Sequence, residues 1–245
     1  MCYNPIISRY VFLTTGTSGY FDSVIRESSV RVLEAPHPWG PWTVILDENM
    51  TDAYKDRGAG LGWAYFMQKF MGADGKKMWL SVTPKSYSLG FIPMYLTTAE
   101  PAVYEAEDAS LSGGAAAVTA RHPFPGFYGR GYVTGFHAEG ADCGFCADIG
   151  TAGRYIAKLR YMCSYTRGEA ALFVNGGLIR TLRLGLCHKD YYPDSGWTDL
   201  SVLIRLDKGL NVVSVRSTGT DRDGALKLDN LKLALLSESP DDASD

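Results

Sequence analysis

Short apolar or alternating runs, broken by Gly, Pro, Asp or Ser roughly every 8–15 residues, extend along the whole chain. Strand candidates in the first half are Tyr10–Thr15, Val30–Glu34, Thr43–Leu46, Met78–Thr83 and Ile92–Leu96. The second half adds Gly131–Phe136, Tyr155–Tyr161, Ala170–Asn175, Ser201–Leu206, Asn211–Ser217 and Leu228–Leu233. Runs this short cannot build amphipathic helices, which need about 10–12 residues of sustained 3.6 periodicity. The one weak helical stretch, Asn49–Asp56, lacks an apolar stripe. The expectation is an all-β chain of sandwiches or propeller blades. The 27 Gly and 15 Tyr suit many turns and pleated surfaces.

A chain of 245 residues can hold one large or two modest cores. The small, polar, Pro-containing segment from Thr97 to Ala102 marks the expected boundary, giving domains 1–98 and 99–236. The acidic stretch 237–245 has a single small apolar residue and is expected to be a disordered tail. The formal charge, 24 − 27 = −3, gives no electrostatic case for nucleic acid or an anionic membrane. No run reaches the roughly 18 apolar residues of a membrane span. Met1–Tyr10 lacks the pattern of a signal peptide, and the first strand begins almost at once. That start reads as a piece of a longer architecture.

Of the five cysteines, Cys143 and Cys146 form a CxxC within an alternating run. In a strand, residues three apart face opposite sides, and no matching second Cys or His pair completes a zinc site. His37, His122, His137 and His188 are scattered and form no Ser/His/Asp motif.

In Tyr104-Glu105-Ala106-Glu107-Asp108-Ala109, a strand would put Glu105 and Glu107 on one side. Two like charges so placed repel unless solvent or a hard cation relieves them. Either a solvated edge strand or an oxygen-ligand cation site satisfies the pattern.

The segment Tyr104–Gly114 resembles the opening of carbohydrate-binding module families 6 and 35. Further similarities follow in order: Gly129-Arg130-Gly131-Tyr132-Val133-Thr134-Gly135-Phe136, Ala152-Gly153-Arg154-Tyr155 with Leu159-Arg160-Tyr161, and Leu172-Phe173-Val174-Asn175-Gly176. Leu206-Asp207-Lys208-Gly209-Leu210-Asn211 and the closing Leu228-Asp229-Asn230-Leu231 complete the set, with family 35 the nearer match. The resemblance implies a jelly-roll β-sandwich that binds an oligo- or polysaccharide. It also implies a structural calcium held by Glu105, Glu107 and Asp229, and an extracellular setting. Sugar sites need flat aromatic surface and a few oriented polar groups. The candidates are Tyr128, Arg130, Tyr132, Tyr191, Tyr192 and Trp197. Tyr132 is equally suited to the core; the loop-like context of Trp197 favours exposure, while Trp197-Thr198-Asp199 also resembles the family's strand entry, in which the Trp packs. Arg130 could pair with the carboxylate of a uronic acid. Many family members carry Asn immediately before the closing Leu-Asp; here that residue is Lys227, which either contacts ligand or marks a lost site.

In the first half, Ala35-Pro36-His37-Pro38-Trp39-Gly40-Pro41-Trp42 and Ala73-Asp74-Gly75-Lys76-Lys77-Met78-Trp79-Leu80 resemble turns of glycoside-hydrolase-like five-bladed β-propellers. The similarity implies the last one or two blades, an incomplete propeller preceding its binding module. Glycoside hydrolysis needs a suitably spaced carboxylate pair. Asp22, Glu27 and Glu34 are available, but no motif nominates two of them. The leading expectation is therefore a binding module from a truncated glycosidase-type protein. An active glycoside hydrolase and a structural or protein-binding sandwich with a decayed sugar site are the alternatives.

Overall fold

The computed structural model describes residues 1–18, 27–49, 63–83, 89–96, 100–119, 126–163, 168–184, 197–219 and 226–237. Among these residues there are β-strands and short 3₁₀ turns but no α-helix. Every strand pair with a defined register is antiparallel. The chain divides into two compact units, Met1–Thr98 and Ala99–Asp245.

In the first unit, β1 (Cys2–Asn4), β2 (Arg9–Ser18), β3 (Glu27–Ala35) and β4 (Thr43–Asn49) pair in sequence. A separate three-stranded sheet holds β5 (Trp63–Phe66), β6 (Lys77–Thr83) and β7 (Gly90–Tyr95). Alternation in β6 buries Met78, Leu80 and Val82, which join Val11, Val30 and Val32 in one apolar cluster. The helix candidate at Asn49–Asp56 lies outside the described residues except for Asn49, which ends β4.

The second unit is a sandwich. One sheet runs through β16 (Thr198–Leu206), β13 (Gly153–Cys163), β18 (Leu226–Ser237), β11 (Tyr132–Thr134) and β10 (Ala116–Val118), and β8 (Ala102–Glu105) also pairs with β18. The opposing five-stranded sheet is ordered β15 (Gly177–Leu184), β14 (Gly168–Val174), β17 (Gly209–Ser217), β12 (Asp142–Ile149) and β9 (Ser110–Ser112). Period-two patterning drives this packing. In β13, Tyr155, Ala157, Leu159 and Tyr161 turn inward, while Arg154, Ile156, Lys158 and Arg160 turn outward. In β12, Cys143, Phe145, Ala147 and Ile149 turn inward, so Cys143 is buried and Cys146 exposed on the opposite face. Asn175 and Gly176, with φ of 51° and 80°, close the β14–β15 hairpin. Positive φ at both central residues is what a two-residue hairpin turn requires.

One local expectation is corrected. Tyr104–Ala109 is not a continuous strand: β8 stops at Glu105, and Ala106–Asp108 forms a 3₁₀ turn. Ala106, the first residue of this turn, is buried. The turn lets Glu105 and Glu107 meet the same neighbouring loop without strand alternation to align them.

Candidate functional site

The site is built where the segment 126–131 crosses the closing strand. This segment is a turn-rich connection rather than a strand, so its own backbone N–H groups need partners from elsewhere. Carboxylates supply them. The Tyr128 N–H donates to both oxygens of Asp229, at 3.0 and 3.1 Å. The Arg130 and Gly131 N–H groups donate to Glu107 Oε1, at 2.7 and 3.0 Å. Gly129, between them, has φ of 64°. A Cβ there would fall 2.8 Å from Glu107 Oε1 and 3.1 Å from Glu105 Cδ, so the backbone lies directly against both glutamates.

Asp229 is fully buried. Its Oδ2 forms an ion pair with Arg160 Nε at 2.9 Å, although the N–H direction does not give a well-aligned hydrogen bond. Burial pushes the Asp229 carboxyl up to about 7; the Tyr128 N–H and Arg160 oppose this, and Glu105 and Glu107 add to it. The Glu105 carboxyl is also raised, by burial first, then by Glu107 and Asp108, with Lys232 acting against them.

The donor set fits a hard cation in one respect. Glu105 Oε2 and Glu107 Oε2 are buried without a hydrogen-bond partner among the described residues. Unpartnered carboxylate oxygens are the kind of donor that binds calcium. The third carboxylate suggested by the sequence is differently engaged, because Asp229 already serves Tyr128 and Arg160. Among the described residues, no group of three or more His, Cys, Asp or Glu side chains is arranged to hold a metal ion.

The aromatic candidates separate clearly. Tyr128 is 53% exposed. Arg160 lies 4.7 Å and Lys232 Nζ 5.1 Å from its ring centroid. Arg130 is exposed and ion-paired with Asp108. Tyr132 and Trp197 are 2% and 3% exposed, which corrects the expectation of an exposed Trp197. Trp197 immediately precedes β16 and is carried in against Tyr132, ring to ring at 5.7 Å, and the Phe127 ring lies 5.6 Å from the same tyrosine. Tyr132 and Trp197 form the floor under the loop and do not face solvent. Lys227 is also buried, opposite Met162 across the β13–β18 pairing. Tyr191 and Tyr192 lie outside the described residues.

Sequence reading missed Arg160, which resembled only a family strand motif. The outward alternation of β13 was its one available signal. Of the carboxylates considered for hydrolysis, Glu34 is ion-paired with Arg9 at 3.0 Å. Asp22 and the Glu27 side chain lie outside what is described.

Comparison with known proteins gives the family. Residues 102–236 match the carbohydrate binding module (family 35). The chain belongs to that family. The family 35 chain is 32% identical over 178 residues to a 1,6-alpha-glucosyltransferase of Sporosarcina globispora, covering 71% of this chain and 13% of that protein. An isomaltosyltransferase of the same organism is 29% identical over 177 residues, covering 72% of this chain and 14% of that protein. The chain therefore spans only about one seventh of the length of these curated relatives. Among solved structures, a family 35 module from Clostridium thermocellum is 23% identical, with a TM-score of 0.47, covering 55% of this chain and 98% of that one. By its family match, the C-terminal unit is a carbohydrate-binding module, and its fold is a sandwich of antiparallel sheets.

Two outcomes are expected at this site. Gly129→Ala combines a disfavoured positive φ with contact against Glu107, and should destabilise the unit by roughly 1–3 kcal/mol; denaturant midpoints of the whole chain measure this. The second concerns pH. Asp229 holds its proton more tightly folded than unfolded, where a carboxyl titrates near ~3.9. Its contribution to stability is full below that value and is lost as pH rises through about 7. In chelator, the melting temperature should fall between about pH 4 and 7 more steeply in the native chain than in Asp229→Asn; an equal slope in both would contradict the assignment.

Proposed function

We propose that the module binds an oligo- or polysaccharide at the 126–131 loop, with calcium held beside it by Glu105 and Glu107, in service of a larger carbohydrate-active protein. The observation that carries this reading is the exposed Tyr128 ring on a backbone fastened by two buried or half-buried carboxylates. A pyranose presents a C–H face that stacks on such a ring, and a rigid platform costs little ordering on binding. Arg130, at the rim, supplies donors for hydroxyl groups. Tyr132 and Trp197 keep the loop floor fixed from beneath.

Calcium, when bound, would neutralise the paired glutamates and fill the coordination of Glu105 Oε2 and Glu107 Oε2. Glu107 keeps its other oxygen for Arg130 and Gly131, so the cation site and the sugar loop share one side chain. Asp229 supports the loop from below rather than from within a three-carboxylate cage.

Lys232, 5.1 Å from the Tyr128 ring, and the exposed Arg130 favour a sugar that carries a carboxylate, so an acidic glycan is the finer reading. Neutral α-glucan is the competing ligand class, supported by the glucosyl- and isomaltosyltransferase names of the two relatives. We assign no hydrolytic step to this chain. An extracellular setting accords with polysaccharide as the target, and among the described residues no helix is long and apolar enough to cross a membrane.

Calorimetric titration of the whole chain with uronic-acid-containing and α-1,6-linked oligosaccharides, with calcium and then with chelator, tests the proposal. Tyr128→Ala should weaken binding by the value of a buried aromatic face, about 1.5–3 kcal/mol or about 10- to 150-fold. Chelator should weaken it further. Heat unchanged by Tyr128→Ala would remove the loop as the binding site.

A further inference from the structure

Arg160 lies on the outward register of β13, where alternation ordinarily leaves a long cation in solvent. Its side chain is instead only 15% exposed. The guanidinium is engaged along its edges and on its face. Nε meets Asp229 Oδ2 at 2.9 Å on β18, and Nη1 lies 3.7 Å from Asp199 Oδ1 on β16. Nη2 donates to the Gly126 carbonyl at 3.2 Å. Cζ lies over the Tyr128 ring, 4.7 Å from its centroid. Two of these partners belong to sheet strands, and two belong to the loop. Register places Arg160 opposite both Asp199 and Asn230, in the middle of the sheet rather than at its edge.

We propose that Arg160 is the positioning residue of the sugar-contacting loop, fastening it to the sheet through Asp229, Asp199, the Gly126 carbonyl and the Tyr128 ring. This rests on the reading of 126–131 as the loop that meets sugar. A flat fork with several donors and a stackable face can serve all four partners together; the ammonium of a lysine cannot. Arg160 also keeps company with the buried carboxylate that accepts the Tyr128 N–H. Its removal leaves that acceptor without its cation and the loop without two of its ties.

The test is residue-resolved amide hydrogen exchange on the whole chain in chelator, with native protein, Arg160→Gln and Arg160→Lys. The Tyr128 amide should exchange at least about tenfold faster in Arg160→Gln, while Leu172 and Val213 in the other sheet stay within about twofold of native. Arg160→Lys retains charge but loses the fork, and should fall between. Where Arg160→Gln does not fold, a local acceleration of about threefold or more at Tyr128 in Arg160→Lys supports the proposal in its place. Unchanged exchange at Tyr128, or acceleration spread evenly over both sheets, would overturn the proposal. Titration of the same proteins with a glucuronic-acid-containing disaccharide and with isomaltotriose separates the two claims. Affinity that drops in step with Tyr128 exchange supports the positioning role. Absence of binding by native chain overturns the sugar reading, and with it the loop's role, whatever the exchange pattern.

Discussion

The 126–131 loop depends on the buried carboxylate of Asp229. A backbone segment without ladder partners must find acceptors, because an unpaired buried N–H costs about 1–3 kcal/mol. Asp229 gives Tyr128 that acceptor, and Glu107 does the same for Arg130 and Gly131. Burial first, and then the neighbouring carboxylates, make Asp229 and Glu105 both reluctant to ionise. Arg160 beside Asp229, and Lys232 acting on Glu105, offset part of the carboxylates' charge. Loop order, charge balance and the exposure of one tyrosine are therefore a single problem with one local solution.

The sandwich explains why that solution sits at β18. This closing strand pairs with β13, β8 and β11, so residues from widely separated parts of the chain meet along it. Leu226 to Leu231 are all buried, which holds Asp229 in a fixed place. The opening Glu105 lies directly across from Asn230. The two ends of the module are thus stitched side by side, and the loop is laid over the seam.

Much of the fold was legible because β-patterning is local. The strand candidate Tyr155–Tyr161 lies within β13, and the alternating run that put Cys143 and Cys146 on opposite faces is β12. Arg130, Glu105 and Glu107 could be singled out because they stand in motif order along the chain, and Tyr128 because it directly precedes the glycine-rich motif. Trp197 could not be placed, since its neighbour Tyr132 approaches from distant sequence. A Gly- and Ser-containing approach looks like an exposed loop whether or not the aromatic ring at its end turns inward. The 3₁₀ turn after Glu105 was hidden for a similar reason: two glutamates two residues apart look like strand alternation until Ala106 is seen to be buried. Arg160 was invisible as a functional residue because its four partners come from two other strands and a loop.

Amide chemical-shift mapping of the whole chain during titration with a bound glycan tests the central claim most directly. The largest shifts should cluster at Tyr128, Gly129, Arg130 and Gly131, with smaller changes at Arg160 and Asp229. Largest shifts on the exposed face of the five-stranded sheet, around Val212 and Leu210, would contradict a sugar site at the 126–131 loop.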